Sequence, residues 1–204
     1  MQAIKNIIFD LGGVFLNIDY KKTADAFIKL GVTNFDQLYT QQTANELFEE
    51  LETGKIEPVP FYEAIRKATG LPLTDNDIKL AWSAMLLDFP ADRIEWLTNI
   101  AKKYRVFLYS NTNAIHYDQF MEAFSRQNGE RSFNDYFIKA YYSHEFGLRK
   151  PYPESYKALL DAEGLKAAET LFIDDTLKNI EGAKAAGLRT IHLVPPATVL
   201  GLNL

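Results

Sequence analysis

None of the 204 residues is a cysteine. This excludes a disulfide framework, a thiolate nucleophile and a cysteine-ligated zinc site. Runs of like charge are also missing: 22 basic residues against 27 acidic ones leave a formal net charge of −5, dispersed along the chain. No nucleic-acid or anionic-membrane partner is therefore expected, and an anionic substrate would need a locally positive site. No apolar stretch approaches the length that crosses a bilayer. The segment Met1 to Asn6 carries neither a basic n-region nor a long apolar h-region, so no signal peptide is expected and the cytoplasm is the expected location. There is no Gly-Lys-Ser/Thr P-loop, and Gly12-Gly13 lacks the spacing of a dinucleotide fingerprint.

What is present suits one packed α/β core with an accessory element, since 47% of the residues are hydrophobic. The apolar run Ile4 to Phe9 ends abruptly in Asp10-Leu11-Gly12-Gly13-Val14, the pattern of a buried strand that delivers a carboxylate to a glycine-rich turn. Val14 to Tyr20 alternates apolar and polar residues and predicts a short extended segment. Helical periodicity follows from Lys21 to Leu30, from about Thr43 to Leu51, from Phe61 to Gly70 after Pro58 and Pro60, and past a Thr74-Asp75 cap through Ile78, Trp82 and Met85. These segments arrive with no strand between them. From Pro90 onward, helical stretches alternate with short apolar runs at Arg105–Ser110, Ala140–Ser143, Thr170–Asp174 and Thr190–Val194. Such alternation predicts a parallel sheet with right-handed crossovers. The expected organisation is an α/β, Rossmann-like core of residues 1–18 and 90–204, with an all-helical cap of residues 19–89 inserted after the first strand. Trp82, Trp96 and Tyr141-Tyr142 read as packing residues, and Val199 to Leu202 as an apolar tail free to pack on the core or on a partner.

Parallel strands place their carboxyl ends on one edge, where ligands of open α/β sheets bind. Asp10, Ser110-Asn111-Thr112-Asn113 and Asp174-Asp175 all close predicted strands, and a fourth is followed by Gly147-Leu148-Arg149-Lys150-Pro151, with two adjacent cations. Each has an ordinary explanation alone: helix caps and turn formers for Asp10 and the 110–113 segment, a solvated loop cation for Lys150. Asp174-Asp175 is harder to explain this way, because adjacent carboxylates repel unless a cation compensates them. Their conjunction points to a site.

Phe9 to Val14, Ser110 to Asn113, Gly147 to Pro151 and Phe172 to Ala183, the last with Asp174-Asp175, Asn179 and Gly182, resemble the four ordered motifs of the haloacid dehalogenase-like hydrolase superfamily. The helical insertion resembles the type-one cap of its phosphatase-rich subfamily IA, and the motif wording is most similar to bacterial α-glucose-1-phosphate phosphatases. The resemblance implies a phosphatase in which Asp10 attacks phosphorus and becomes a transient aspartyl phosphate. It implies Mg2+ held by the Asp10 carboxylate, the Gly12 carbonyl and Asp175, with Asp174 and Asn179 supporting the metal or Lys150; Asn179 follows Asp175 by one helical turn, so that both could face the ion. Ser110, the Asn111 amide and Lys150 would bind the phosphoryl oxygens. The partner would be a small phosphorylated metabolite, and the protein a monomer or weak homo-oligomer.

Gly12 departs from the pattern, because most phosphatases of this superfamily place a second aspartate there to protonate the leaving oxygen. General acid–base catalysis is worth roughly 10²–10⁴-fold. A hemiacetal leaving group, as in a hexose 1-phosphate, needs less protonation. The alternatives are a replacement acid (water, or Asp19 or Glu52 of the cap, with His116 and His144 near the motif loops equally readable as structural) or a catalytically weak phosphate-binding protein. A 2-haloacid dehalogenase would share Asp10 and Lys150 but gain nothing from Asp174-Asp175.

Overall fold

The computed structural model describes residues 3–33, 35, 46–129 and 131–204. Its centre is a five-stranded, all-parallel sheet of β1 (Asn6–Phe9), β2 (Arg105–Ser110), β3 (Lys139–Tyr142), β4 (Thr170–Asp174) and β5 (Arg189–His192), in the order β3-β2-β1-β4-β5. The first strand is thus central, and every residue of it is buried. A parallel strand covered on both faces favours apolar residues such as Ile7, Ile8 and Phe9, since neither side meets water, and the polar Asn6 is buried with a partner.

Alternate strand residues serve opposite faces. Ile7, Phe9, Val106, Leu108, Leu171 and Ile173 pack on one side with α5 (Ala91–Ile100) and α6 (Ala114–Asn128). Ile8, Phe107, Tyr109 and Phe172 pack on the other with α8 (Pro153–Ala162) and α9 (Leu177–Ala185). A short helix, α7 (Ser143–Phe146), follows β3 directly. Val199 is fully buried against the first cluster, with Leu202 and Leu204 beside it, so the tail packs on its own core.

Among the described residues, the helices inserted after β1 are α1 (Tyr20–Lys29), α2 (Glu46–Glu52), α3 (Pro58–Thr69) and α4 (Asp75–Ser83). They enclose a separate, aromatic cluster of Phe27, Phe35, Phe48, Phe61 and Trp82, which Ile115 of α6 joins from the core. Asp19 caps α1 by accepting from the Lys21 N–H, and Thr74 with Asp77 forms a reciprocal capping box on α4. Helix α3 begins at Pro58 rather than Phe61, because a proline at the first helical position loses no hydrogen bond. Of the segment expected to be helical from Thr43, residues 43–45 lie outside the described residues.

The extended segment expected at Val14–Tyr20 is corrected in its first half. The Leu11 carbonyl accepts from the N–H groups of Val14, Phe15 and Leu16, which makes a compact turn. Only beyond it is the chain extended, with Asn17 and Asp19 paired to Leu87, Asp88 and Met85. Alternating polarity cannot distinguish these, because Val14, Phe15 and Leu16 are all buried beneath the sheet edge. Among the described residues, no helix is long and apolar enough to cross a membrane.

Candidate active site

The β1–β4 ladder extends one residue past the strand: the Asp10 N–H donates to the Ile173 carbonyl at 2.9 Å, which fixes the carboxylate at the sheet edge. Behind it Gly13 has φ +70°, and a side chain there would overlap the Asp175 carboxylate. Glycine therefore serves twice, permitting the turn and letting Asp175 close on it. Asp10, Asp174 and Asp175 offer carboxylate oxygens within 4.8 Å of one another.

Lys150 completes this cluster. Its ammonium, buried to 1% exposure, lies 2.7 Å from Asp10 Oδ1 and 2.7 Å from Asp174 Oδ2. The rings of Tyr109 and Phe172 lie beneath it, 5.7 and 5.4 Å from Nζ to the centroids. Burial alone would lower the lysine's pKa, but the two carboxylates raise it above its ordinary value. Burial pushes Asp10 up to about 7, against the pull of Lys150, with Asp174 and Asp175 adding repulsion. Burial and Asp174 likewise raise Asp175. Three carboxylates facing one ammonium leave a deficit of positive charge, and an all-oxygen donor set suits a hard divalent cation such as Mg2+.

The roles within the cluster separate by hydrogen bonding. Asp174 accepts from Lys150 Nζ, from the Thr176 N–H at 2.8 Å and from Asn179 Nδ2 at 3.0 and 3.2 Å. Its oxygens are thereby occupied, whereas those of Asp10 and Asp175 are less committed. Asn179 turns to Asp174 and does not share a face with Asp175, because α9 starts only at Leu177. His192 Nε2–H donates to the Asp175 carbonyl at 2.9 Å and steadies that loop.

Ser110 ends β2 and is buried, with one long contact of 3.5 Å to the Asn111 carbonyl. The Asn111 carboxamide is committed elsewhere: Oδ1 accepts from the Lys150 N–H and Nδ2 donates to the Lys150 carbonyl, both at 2.9 Å. Its backbone N–H is what remains for a ligand. Asn113 caps α6, and the fully buried Ser143 hydroxyl clamps Thr112 through two bonds of 2.9 Å. Sequence reasoning missed Ser143 and Tyr156, and it read Gly182 only as part of the fourth motif, without a role. Gly182 lies against the Pro151 carbonyl, where any side chain would collide, and Tyr156 donates to the Asn179 carbonyl at 2.7 Å. The glycine one turn after Asn179 was the available signal.

The site opens into a cavity of about 740 Å³ lined by Asp10, Gly12, Ser110, Asn111, Lys150 and Asp175 on the sheet side. Residues of the inserted helices, including Glu49, Glu52 and Trp82, form its opposite wall. Of the four candidate replacement acids, Glu52 and His116 line this cavity; Asp19 caps α1 and His144 is not part of the wall. His116 stacks on Trp82, donates Nε2–H to its carbonyl at 3.0 Å and is pushed down to about 4 by burial. Burial raises Glu52, while Arg149 opposes that shift.

A sequence profile of the haloacid dehalogenase-like hydrolase family matches residues 4–187. The chain belongs to that family. It is 34% identical over 189 residues to a D-ribitol-5-phosphate phosphatase of Bacteroides thetaiotaomicron, covering 93% of this chain and 91% of that one. It is 30% identical over 193 residues to a sesquiterpene phosphatase of Aspergillus oryzae, covering 94% and 90%. A crystal structure of a family enzyme from B. thetaiotaomicron superposes with a TM-score of 0.89 at 35% identity, covering 96% of this chain and 95% of that one. That structure is of an aspartate-to-alanine variant in complex with magnesium and inorganic phosphate. As a haloacid dehalogenase-like hydrolase, this chain is an enzyme whose carboxylate cluster stands where four strand ends converge.

Proposed function

We propose that this hydrolase is a Mg2+-dependent phosphatase of small phosphorylated metabolites, with a sugar phosphate such as a hexose 1-phosphate as its substrate class. The carrying observation is the cluster itself: Asp10 and Lys150 in contact at 2.7 Å, with Asp175 close enough to share a cation with Asp10. Asp10 supplies the nucleophilic oxygen; its attack on phosphorus forms an acyl phosphate and breaks the bond to the leaving alcohol, and water then releases phosphate. Asp10, the Gly12 carbonyl and Asp175 would hold Mg2+, which when bound offsets carboxylate charge and draws electron density from phosphorus. Lys150, Ser110 and the Asn111 backbone N–H bind the phosphoryl oxygens, while Asp174 and Asn179 hold Lys150 in place. Residues 19–89 act as a type-one cap over a core of residues 1–18 and 90–204.

Gly12 supplies no proton; the flexible end of the Ile18 side chain lies beside it, with Cδ1 2.7 Å from where a Cβ would stand. The missing proton supports a leaving group that departs with little protonation, as an anomeric oxygen does. The relatives act on esters as different as a polyol phosphate and a sesquiterpene phosphate, so the chemistry of the leaving group has to be read from the cavity.

Phosphate release from a panel of sugar 1-phosphates, sugar 5- and 6-phosphates and polyol phosphates, with and without Mg2+, tests this function. Release should require Mg2+, favour the anomeric esters and fall at least about 10³-fold in Asp10→Asn. Magnesium-dependent phosphate binding without turnover of any ester would instead identify a binding protein.

A further inference from the structure

We propose that Arg149, with Glu52 and Glu49 opposite it, reads the leaving group and selects phosphate esters whose alcohol carries several hydroxyls. This rests on the phosphatase function proposed above and assigns its selectivity to residues outside the carboxylate cluster. Arg149 and Lys150 are neighbours in sequence but serve different walls of the cavity. Lys150 turns to Asp10 and Asp174, whereas Arg149 reaches across to helix α2, with Nη2 3.0 Å from Glu52 Oε2 and Nη1 3.6 Å from Glu49 Oε2. All three side chains line the cavity that holds Asp10 and Ser110.

The pair is charged, largely buried and poorly hydrogen-bonded. The Glu52 and Arg149 side chains are 13% and 17% exposed, yet Glu52 Oε2 and Arg149 Nε are buried without a hydrogen-bond partner. The 3.0 Å contact is therefore an ion pair lacking hydrogen-bond alignment. The two unpartnered atoms are themselves covered, so a ligand meets the pair through the exposed remainder of both side chains, and adjacent hydroxyls, each of which both gives and takes a hydrogen bond, suit a guanidinium set beside a carboxylate. An apolar alcohol in the same place would exclude water and leave both charges unsolvated. Leu16, Ile18, Met85 and Leu86 also line the cavity and offer apolar surface to the carbon face of the same ligand.

The test compares kcat/KM for sorbitol 6-phosphate and for butyl phosphate in the Mg2+-loaded protein. The wild type should favour the polyol ester at least about tenfold. Glu52→Gln and Arg149→Met should shrink that ratio about tenfold, chiefly through a higher KM for the polyol ester. A merely structural pair would slow both esters in proportion, and an unchanged ratio overturns the assignment. Glu49→Gln, at the longer and more exposed contact, should give a smaller change in the same ratio and keeps the test usable if either first variant unfolds. Equal wild-type turnover of both esters overturns the selectivity but not the phosphatase. Failure of the wild type on both esters, with sugar 1-phosphates turned over, overturns the selectivity; failure on the sugar 1-phosphates as well overturns the phosphatase function itself.

Discussion

Strands β1 and β4 are paired in one continuous register, yet their two ends are built on opposite terms. At the amino end Asn6 lies opposite Thr170, its amide donates to the threonine hydroxyl at 3.1 Å, and that hydroxyl donates to the Lys166 carbonyl at 2.9 Å. Both residues are buried, neutral and partnered. Four residues along β1 the same ladder ends in Asp10 beside Asp174 and Asp175, three carboxylates with one buried ammonium among them. A neutral complementary pair stabilises the fold modestly and does nothing else. A charge cluster with one sign in excess is held there by the surrounding structure, and it attracts the cation and the substrate that complete it.

The contrast can be broken from either end. The largest stability effect belongs to Lys150→Met, which strands two buried carboxylates. Chemical denaturation should show a loss of about 3–5 kcal/mol, part of it recovered when Asp174→Leu is added, because the second change removes a charge left unpaired. No loss in the single variant would mean that Lys150 is not the internal counter-ion. A second probe is pH, through His116 on the cavity wall. Its folded pKa, near 4, lies below the ordinary 6.5, so the unfolded chain binds more protons. The stability contributed by neutral His116 is complete above about pH 6.5 and is lost as pH falls toward 4. Relative to His116→Gln, the wild type should lose about 2 kcal/mol between pH 7 and pH 5; parallel pH profiles would show that the imidazole titrates normally. The smallest change is expected at the amino end. Thr170→Val leaves Asn6 Nδ2 only a 3.5 Å contact to the Glu169 carbonyl and should cost about 1–2 kcal/mol of stability, with phosphate release per folded molecule retained.

The residues of the carboxyl edge were visible one by one as strand-end Asp10, Ser110 and Asp174-Asp175, and parallel topology alone required them to converge. Their division of labour was not visible. That Asn111 clamps the Lys150 backbone, that Asn179 serves Asp174, and that Ile18 lies beside Gly12 are contacts between segments far apart in the chain. Hydrophobic period records which face of an element is buried but not which element covers it.

By itself the sequence determined the order of helices and strands, the burial of the apolar Ile7-Ile8-Phe9 that leads to Asp10, and the set of carboxylates and cations brought to one edge. These follow from local periodicity and from the handedness of parallel connections. Only the tertiary structure decided that Arg149 faces Glu52 while its neighbour Lys150 faces Asp10, because adjacent residues in a loop have no periodic rule for direction and take it from whatever packs above and below them.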